Sequence, residues 1–226
     1  MKLVTYNMRK AIGLDRRRDP HRVMDVINQT GADVVVLQEA DRRLGPRPAA
    51  LARRLIEDES DFVPVDLAAN GVSLGSHGNA ILVRKGLSIA APTRIELPGF
   101  EPRGAVSVEV AGRLRVVGVH LGLMRRHRMR QLATLSETLD GHPMPTAILG
   151  DFNEWSASQG FEALHDDYTL HSPGHSYHAA RPMAALDRVA LSHGLTLRDA
   201  GVVETKRAKI ASDHLPVWAD VALTGG

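Results

Sequence analysis

Val34-Val35-Val36-Leu37-Gln38-Glu39 is the stretch that decides the fold class of this chain. A continuous apolar run rich in β-branched residues, without polar alternation, reads as a strand buried on both faces. Upstream, Leu3–Tyr6 is a short strand, and Pro20 opens a helix at its first turn, with Val23, Val26 and Ile27 on one face and Gly31 ending it. Downstream, Ala49–Ile56, rich in Ala, Leu and Arg, reads as a second helix. Ala80–Arg84 and Val106–Val110 are strand-like, and Gly112 turns the latter into Leu114–His120 as a hairpin. Arg125–Leu139 is expected to be helical, with Met129, Leu132, Leu135 and Leu139 on its buried side. Thr146–Gly150, Ala185–Leu191 and Val217–Leu223 supply three more strands. Helices and strands interleave and hairpins are present, so the class is α/β with mixed sheets.

Composition narrows the function classes. A chain of 226 residues buries about 70% of the surface its unfolded form exposes, enough for one sizeable core. The absence of cysteine excludes a disulfide framework, thiolate catalysis and Cys-ligated metal sites, and it fits a reducing compartment. The longest apolar runs, Val34–Leu37 and Val116–Val119, fall far short of the ~18 residues that span a bilayer. The segment Met1–Asn7 carries no apolar leader core, so a soluble, cytoplasmic protein is expected. Net charge is only +2, yet the basic residues cluster in Arg16–Arg18 and in Arg125, Arg126, Arg128 and Arg130. Such clusters either hold phosphate-bearing partners or form a solvated helix face, and both readings stay open. With aromatics at 4%, a dedicated single-strand nucleic-acid binder is disfavoured.

The positions of the polar residues are more informative. Leu3–Tyr6 runs into Asn7, Val34–Leu37 into Gln38 and Glu39, Val116–Val119 into His120, and Ala147–Leu149 into Gly150, Asp151 and Asn153. Asp187 follows Leu186, and Asp213-His214 stands just before Leu215-Pro216-Val217. Any one of these is ordinary turn or cap chemistry. Their repetition at strand ends is not, because function collects along one edge of an α/β sheet. Carboxylates gathered there need partners, and a hard divalent cation such as Mg²⁺ meets that need with oxygen ligands. Zinc is the weaker reading, since no Cys ligand and no His-x-x-x-His helix pair is present.

Thr5-Tyr6-Asn7, Leu37-Gln38-Glu39, Gly78-Asn79-Ala80, Arg103-Gly104-Ala105, Val119-His120-Leu121-Gly122, Gly150-Asp151-Phe152-Asn153, Leu186-Asp187-Arg188-Val189 and Ser212-Asp213-His214-Leu215-Pro216-Val217 together resemble the endonuclease/exonuclease/phosphatase (DNase I-like) superfamily. The motifs stand in the family's order across residues 5–217. The resemblance implies a four-layer α/β sandwich, two mixed β-sheets face to face and flanked by helices, as one domain over residues 1–226. It implies Glu39 as principal metal ligand with Asn7 and Asp213 beside it, and Mg²⁺ as cofactor with Mn²⁺ as a substitute. Asp151 is similar to the aspartate that orients or deprotonates the attacking water, and Asn153 to the amide that holds water and phosphate. His214 resembles the histidine facing the scissile phosphate, Asp187 the carboxylate orienting it, and His120 a second histidine. Asn79 and Arg103 match positions that contact phosphate oxygens.

The chemistry is coherent on its own terms. Phosphodiester hydrolysis needs an activated water, charge neutralisation on the phosphate oxygens and help for the leaving oxygen. The leading expectation is a Mg²⁺-dependent hydrolase of nuclease type, acting on a phosphoester, DNA or RNA among the candidates, with no obligate protein partner. A phosphatase or a phospholipase- or sphingomyelinase-like enzyme on a small or lipid phosphoester is the alternative. A catalytically silent binding module is a third reading, and the presence of Glu39, Asp151 and His214 speaks against it. Arg181 is expected to be a surface arginine, and Trp155 to pack against its own helix.

Overall fold

The computed structural model describes residues 1–42, 45–141 and 144–224. The chain starts with β1 (Lys2–Asn7), crosses over α1 (Pro20–Gln29) and returns parallel to β1 as β2 (Val34–Gln38). Then follow α2 (Arg53–Glu59), β3 (Phe62–Pro64), β4 (Ala80–Arg84), β5 (Ile89–Leu97), β6 (Arg103–Val110) and β7 (Leu114–His120). A second crossover, α3 (Arg125–Leu139), leads to β8 (Thr146–Asp151), parallel to β7. β9 (Tyr168–His171), β10 (Asp187–Ser192), β11 (Leu195–Val202), the single turn α4 (Ala208–Ala211) and β12 (Val217–Leu223) complete the chain. Two six-stranded mixed sheets result, ordered β11-β12-β1-β2-β4-β3 and β5-β6-β7-β8-β10-β9.

β2 shows why the layers stack as they do. Successive side chains of a strand point to opposite faces. Val34 and Val36 therefore join Val106, Val108, Val116, Leu149 and Val189 in the core between the sheets. Val35 and Leu37 face outward onto Val23, Met24 and Ile27 of α1. On the other sheet, Val117, Val119 and Ile148 face Leu132, Leu135 and Leu139 of α3. The order helix, sheet, sheet, helix is the expected four-layer sandwich. At Gly118 the sheets approach so closely that a Cβ would lie 2.5 Å from Val36 Cγ1. Gly118→Ala is accordingly expected to lower unfolding stability by about 1–3 kcal/mol, read from the midpoint of a denaturant melt. Among the described residues no helix is long and apolar enough to cross a membrane.

Several elements depart from expectation. α2 starts at Arg53 rather than Ala49, because the backbone of Ala49 and Ala50 hydrogen-bonds to Val72 and Ala40 at 2.8 and 2.7 Å. That tertiary pairing overrides helix propensity. Met129 is not on the buried side of α3; it is 44% exposed. The buried stripe instead takes in Arg128, whose guanidinium reaches Glu154 Oε2 at 2.6 Å and the Leu123 carbonyl at 2.6 Å. The basic run on α3 is thus divided: Arg125, Arg126 and Arg130 are exposed, while Arg128 is buried and structural.

Candidate active site

The two parallel pairs both end at the edge where the polar residues gather. In β1 and β2, Asn7 stands beside Gln38; in β7 and β8, His120 stands beside Asp151. The antiparallel neighbours start there, since Ala80 pairs with Leu37, Ala105 with Val119, Asp187 with Asp151 and Val217 with Thr5. That topology explains why so many apolar strands of the sequence border acids, amides and imidazoles. Face-to-face packing then joins the edges of the two sheets: Asn7 Nδ2 donates to Asp151 Oδ2 at 3.1 Å.

Asp151 is the hub. Its Oδ2 lies 3.4 Å from His120 Nε2 and 3.8 Å from His214 Nε2, and its Oδ1 accepts the Asn153 backbone N–H at 2.9 Å. The Asn153 side chain donates to the Leu121 carbonyl at 2.9 Å. His214 is held from behind, with Nδ1 2.7 Å from Asp187 Oδ2. The same oxygen accepts the Ser176 hydroxyl at 2.5 Å.

The surroundings of the two imidazoles drive them apart, disfavouring the charged form of His120 and favouring that of His214. Burial pushes His120 down to about 3; Asp151 opposes this, while Arg103, His214 and Lys10 reinforce it. Burial also works against a charged His214, but Asp187, Asp151 and Asp213 together outweigh it and push His214 up to about 10. Environments that drive two like groups apart in pKa mark out acid and base roles.

The remaining predicted residues sit beside this hub. Glu39 takes a left-handed φ of 52° just past β2 and forms an ion pair with Lys10. Asp213 lies 3.4 Å from Arg9 Nε. Arg9, Lys10 and Ala11 follow β1 with φ of 46°, 57° and 60°. Three consecutive non-glycine residues in that region cost about 1–2 kcal/mol each, and strain of this kind collects at functional sites. Lys10, Glu39, Arg103 and His120 line a cavity of about 30 Å³, the size of roughly one water molecule. Arg103 is braced there by Glu101 at 2.8 Å. Asn79 is not brought to the cavity: it is fully buried, and its Nδ2 ties β4 to the Gly104 carbonyl at 2.8 Å.

Two donor sets could hold a divalent ion. Asp151, Asp187 and His214 place ligand atoms within 4.8 Å of one another. An ion there would have to break the buried His214–Asp187 hydrogen bond. Glu39 and Asp213, paired with Lys10 and Arg9, and the Asn7 amide oxygen, which accepts Arg9 N at 3.2 Å, are all engaged by the turn after β1 and offer carboxylate and amide oxygens. That set suits a hard ion such as Mg²⁺ and leaves the imidazole pair intact.

Sequence reasoning missed Lys10, Ser176 and the part played by Tyr177. The ring of Tyr177 tilts over His214 at 4.9 Å, and Trp155 meets it edge-on at 6.0 Å. Trp155 therefore does not pack on its own helix; it lies in an irregular segment, 66% exposed at the rim of the site. Arg181 is exposed, as expected of a surface arginine.

The fold and the gathered carboxylates and imidazoles fit the metal-dependent phosphoester hydrolases of the family that the sequence matches. Residues 4–214 match the endonuclease/exonuclease/phosphatase family, and the chain belongs to that family. It is 26% identical over 244 residues to the uncharacterized protein YbhP of Escherichia coli, covering 98% of this chain and 96% of that one. Among solved structures, Danio rerio TDP2 in complex with a single-strand DNA product has a TM-score of 0.75 at 15% identity, covering 98% of each chain. A mannosyl-6-phosphatase from Bacteroides thetaiotaomicron has a TM-score of 0.72 at 15% identity, covering 99% of this chain and all of that one. At these identities the two structures speak for the fold alone.

Proposed function

We propose that this chain is a nuclease-type phosphodiesterase that hydrolyses its substrate by direct attack of water. The observation that carries the reading is the convergence on Asp151 of two imidazoles, His120 with its charged form disfavoured and His214 with its charged form favoured. Asp151 accepts a proton from the attacking water as its oxygen bonds to phosphorus. Cationic His214, aimed by Asp187 and Ser176, donates to the phosphate oxygens and hands a proton to the leaving oxygen as the P–O bond breaks. The products are a phosphomonoester and an alcohol, with no covalent enzyme intermediate. Arg103 supplies charge-assisted hydrogen bonds to the phosphate. Asn153, its amide N–H₂ anchored on Leu121, offers its oxygen to the water. Glu39, Asp213 and Asn7 would hold Mg²⁺, or Mn²⁺ in its place, which would supply charge neutralisation at the phosphate.

Nucleic acid is supported by the exposed Arg125, Arg126 and Arg130 on the helix that follows β7. A lipid or small phosphoester is the second reading, favoured by exposed Phe100, Leu123, Met124 and Trp155 on loops leaving the same edge. Purified protein should be offered plasmid DNA, bis-p-nitrophenyl phosphate and p-nitrophenyl phosphate, each with Mg²⁺, Mn²⁺ or EDTA. Nicking that EDTA abolishes, and that weakens steeply with salt, is the expected result. Intact DNA alongside turnover of a small ester would transfer the substrate to the second reading.

A further inference from the structure

The strained turn after β1 does one specific thing: it delivers two adjacent cations to two carboxylates. Arg9 Nε stands 3.4 Å from Asp213 Oδ2, and Lys10 Nζ pairs with Glu39 Oε2. The turn is pinned to β2 and its extension, since Met8 N donates to Gln38 O and Lys10 N to Glu39 O, both at 3.1 Å. Ala11 is fully buried and its carbonyl accepts Asp19 N at 2.8 Å, which closes the far side. Lys10 and Glu39 side chains are only 23% and 20% exposed, and Lys10 pairs with no other acid among the described residues. Both line the cavity shared with Arg103 and His120.

We propose that the Arg9–Lys10 turn is a cationic clamp: it competes with the divalent ion for Glu39 and Asp213 and, once displaced, binds the substrate phosphate. This rests on the proposed assignment of those two carboxylates to the ion. Left without a cation, largely buried carboxylates are costly, and the clamp neutralises them. An arriving ion has to part both pairs and then stand beside a freed ammonium and guanidinium, so the ion alone binds weakly. The anionic phosphodiester of the substrate gives the freed cations a new partner. Ion and phosphate therefore tighten each other, by the same factor in both directions. A lysine that merely steadies Glu39 predicts the opposite sign, because its loss would loosen the ion's ligand.

The test is calorimetric titration of Mn²⁺ into wild type, Lys10→Met, Lys10→Gln, Lys10→Arg and Glu39→Gln, with and without sulfate as an unreactive dianion. Thermal melts establish that each variant is folded. Lys10→Met and Lys10→Gln are expected to bind Mn²⁺ alone about tenfold more tightly than wild type, within the usual range of coupling between sites. Sulfate should tighten Mn²⁺ severalfold in wild type and Lys10→Arg, and much less in the two neutral variants. Unchanged or weaker Mn²⁺ binding in both neutral variants overturns the proposal, as does sulfate coupling equal to wild type. Glu39→Gln is expected to lose Mn²⁺ binding under both conditions; if it binds like wild type, the carboxylate assignment itself fails.

Discussion

Asp151→Asn is expected to lower phosphodiester turnover by about 10²–10⁴-fold, the usual worth of a positioned general base. The amide keeps the shape of the side chain, so the hydrogen bond from Asn153 N, 2.9 Å in the native site, has a partner in the variant. What is lost is the acceptor for the proton of water. Mn²⁺ affinity, measured by calorimetry, should fall far less than turnover, because Glu39, Asp213 and Asn7, to which the ion is assigned, all remain and only the bond from Asn7 Nδ2 to Asp151 Oδ2 is lost. Glu39→Gln is the complement, expected to lose the ion and turnover together. Were Asp151→Asn to lose the ion as fully as Glu39→Gln, the cluster of Asp151, Asp187 and His214 would be the ion's true seat, since their ligand atoms lie within 4.8 Å. Turnover within about threefold of wild type would remove Asp151 from the proton transfer altogether.

What the sequence discloses of such a site follows from burial. β2, β7 and β8 are buried along their whole length, and each carries an apolar run, Val34–Leu37, Val116–Val119 and Ala147–Leu149, that leads to a polar terminus in plain view. β5 and β11 are edge strands, mostly exposed or half-exposed, and lack both the run and a clean alternation. β5 even contains Pro92, tolerated because the strand lies at an edge and shifts register between Ala90 and Thr93. Short β3 and β9 offer too few residues for any period. Asp187 and His214 lie 27 residues apart, and only the family's motif order links them before the fold is seen. Nothing in Met8-Arg9-Lys10-Ala11 announces a left-handed turn, since no glycine marks it. Ser176 and Tyr177 reach His214 through backbone pairing of their loop, with Leu215 N on Ser176 O at 2.9 Å, a contact with no local signature.

Asp187→Asn should act through the charge of His214, and its signature is a displaced pH profile. His214 is pushed up to about 10 from the ordinary 6.5, with burial opposing the charge and Asp187 leading the groups that favour it. Donation to the phosphate needs the protonated ring, so wild-type activity is lost as pH rises through the native pKa. Without the Asp187 charge, burial has the greater say and the ring loses its proton at lower pH. The alkaline limb of the pH–rate profile therefore moves down, and turnover at pH 8 falls by about 10²-fold or more. Wild type and variant are compared at one fixed ion concentration, because a bound cation lowers the ring's pKa in both. Stability follows by linkage. A raised native pKa contributes stability that is complete below about 6.5 and declines toward about 10, so thermal melts of wild type should lose ground across that window. Asp187→Asn should flatten that alkaline decline. His120, pushed down to about 3, acts in the other direction and removes stability as pH falls below about 6.5. That acid branch should persist in Asp187→Asn, because burial leads the causes that push His120 down and Asp187 reaches it only through the charge of His214. A variant whose alkaline limb and alkaline melt both match wild type would show that Asp187 does not set the charge of His214.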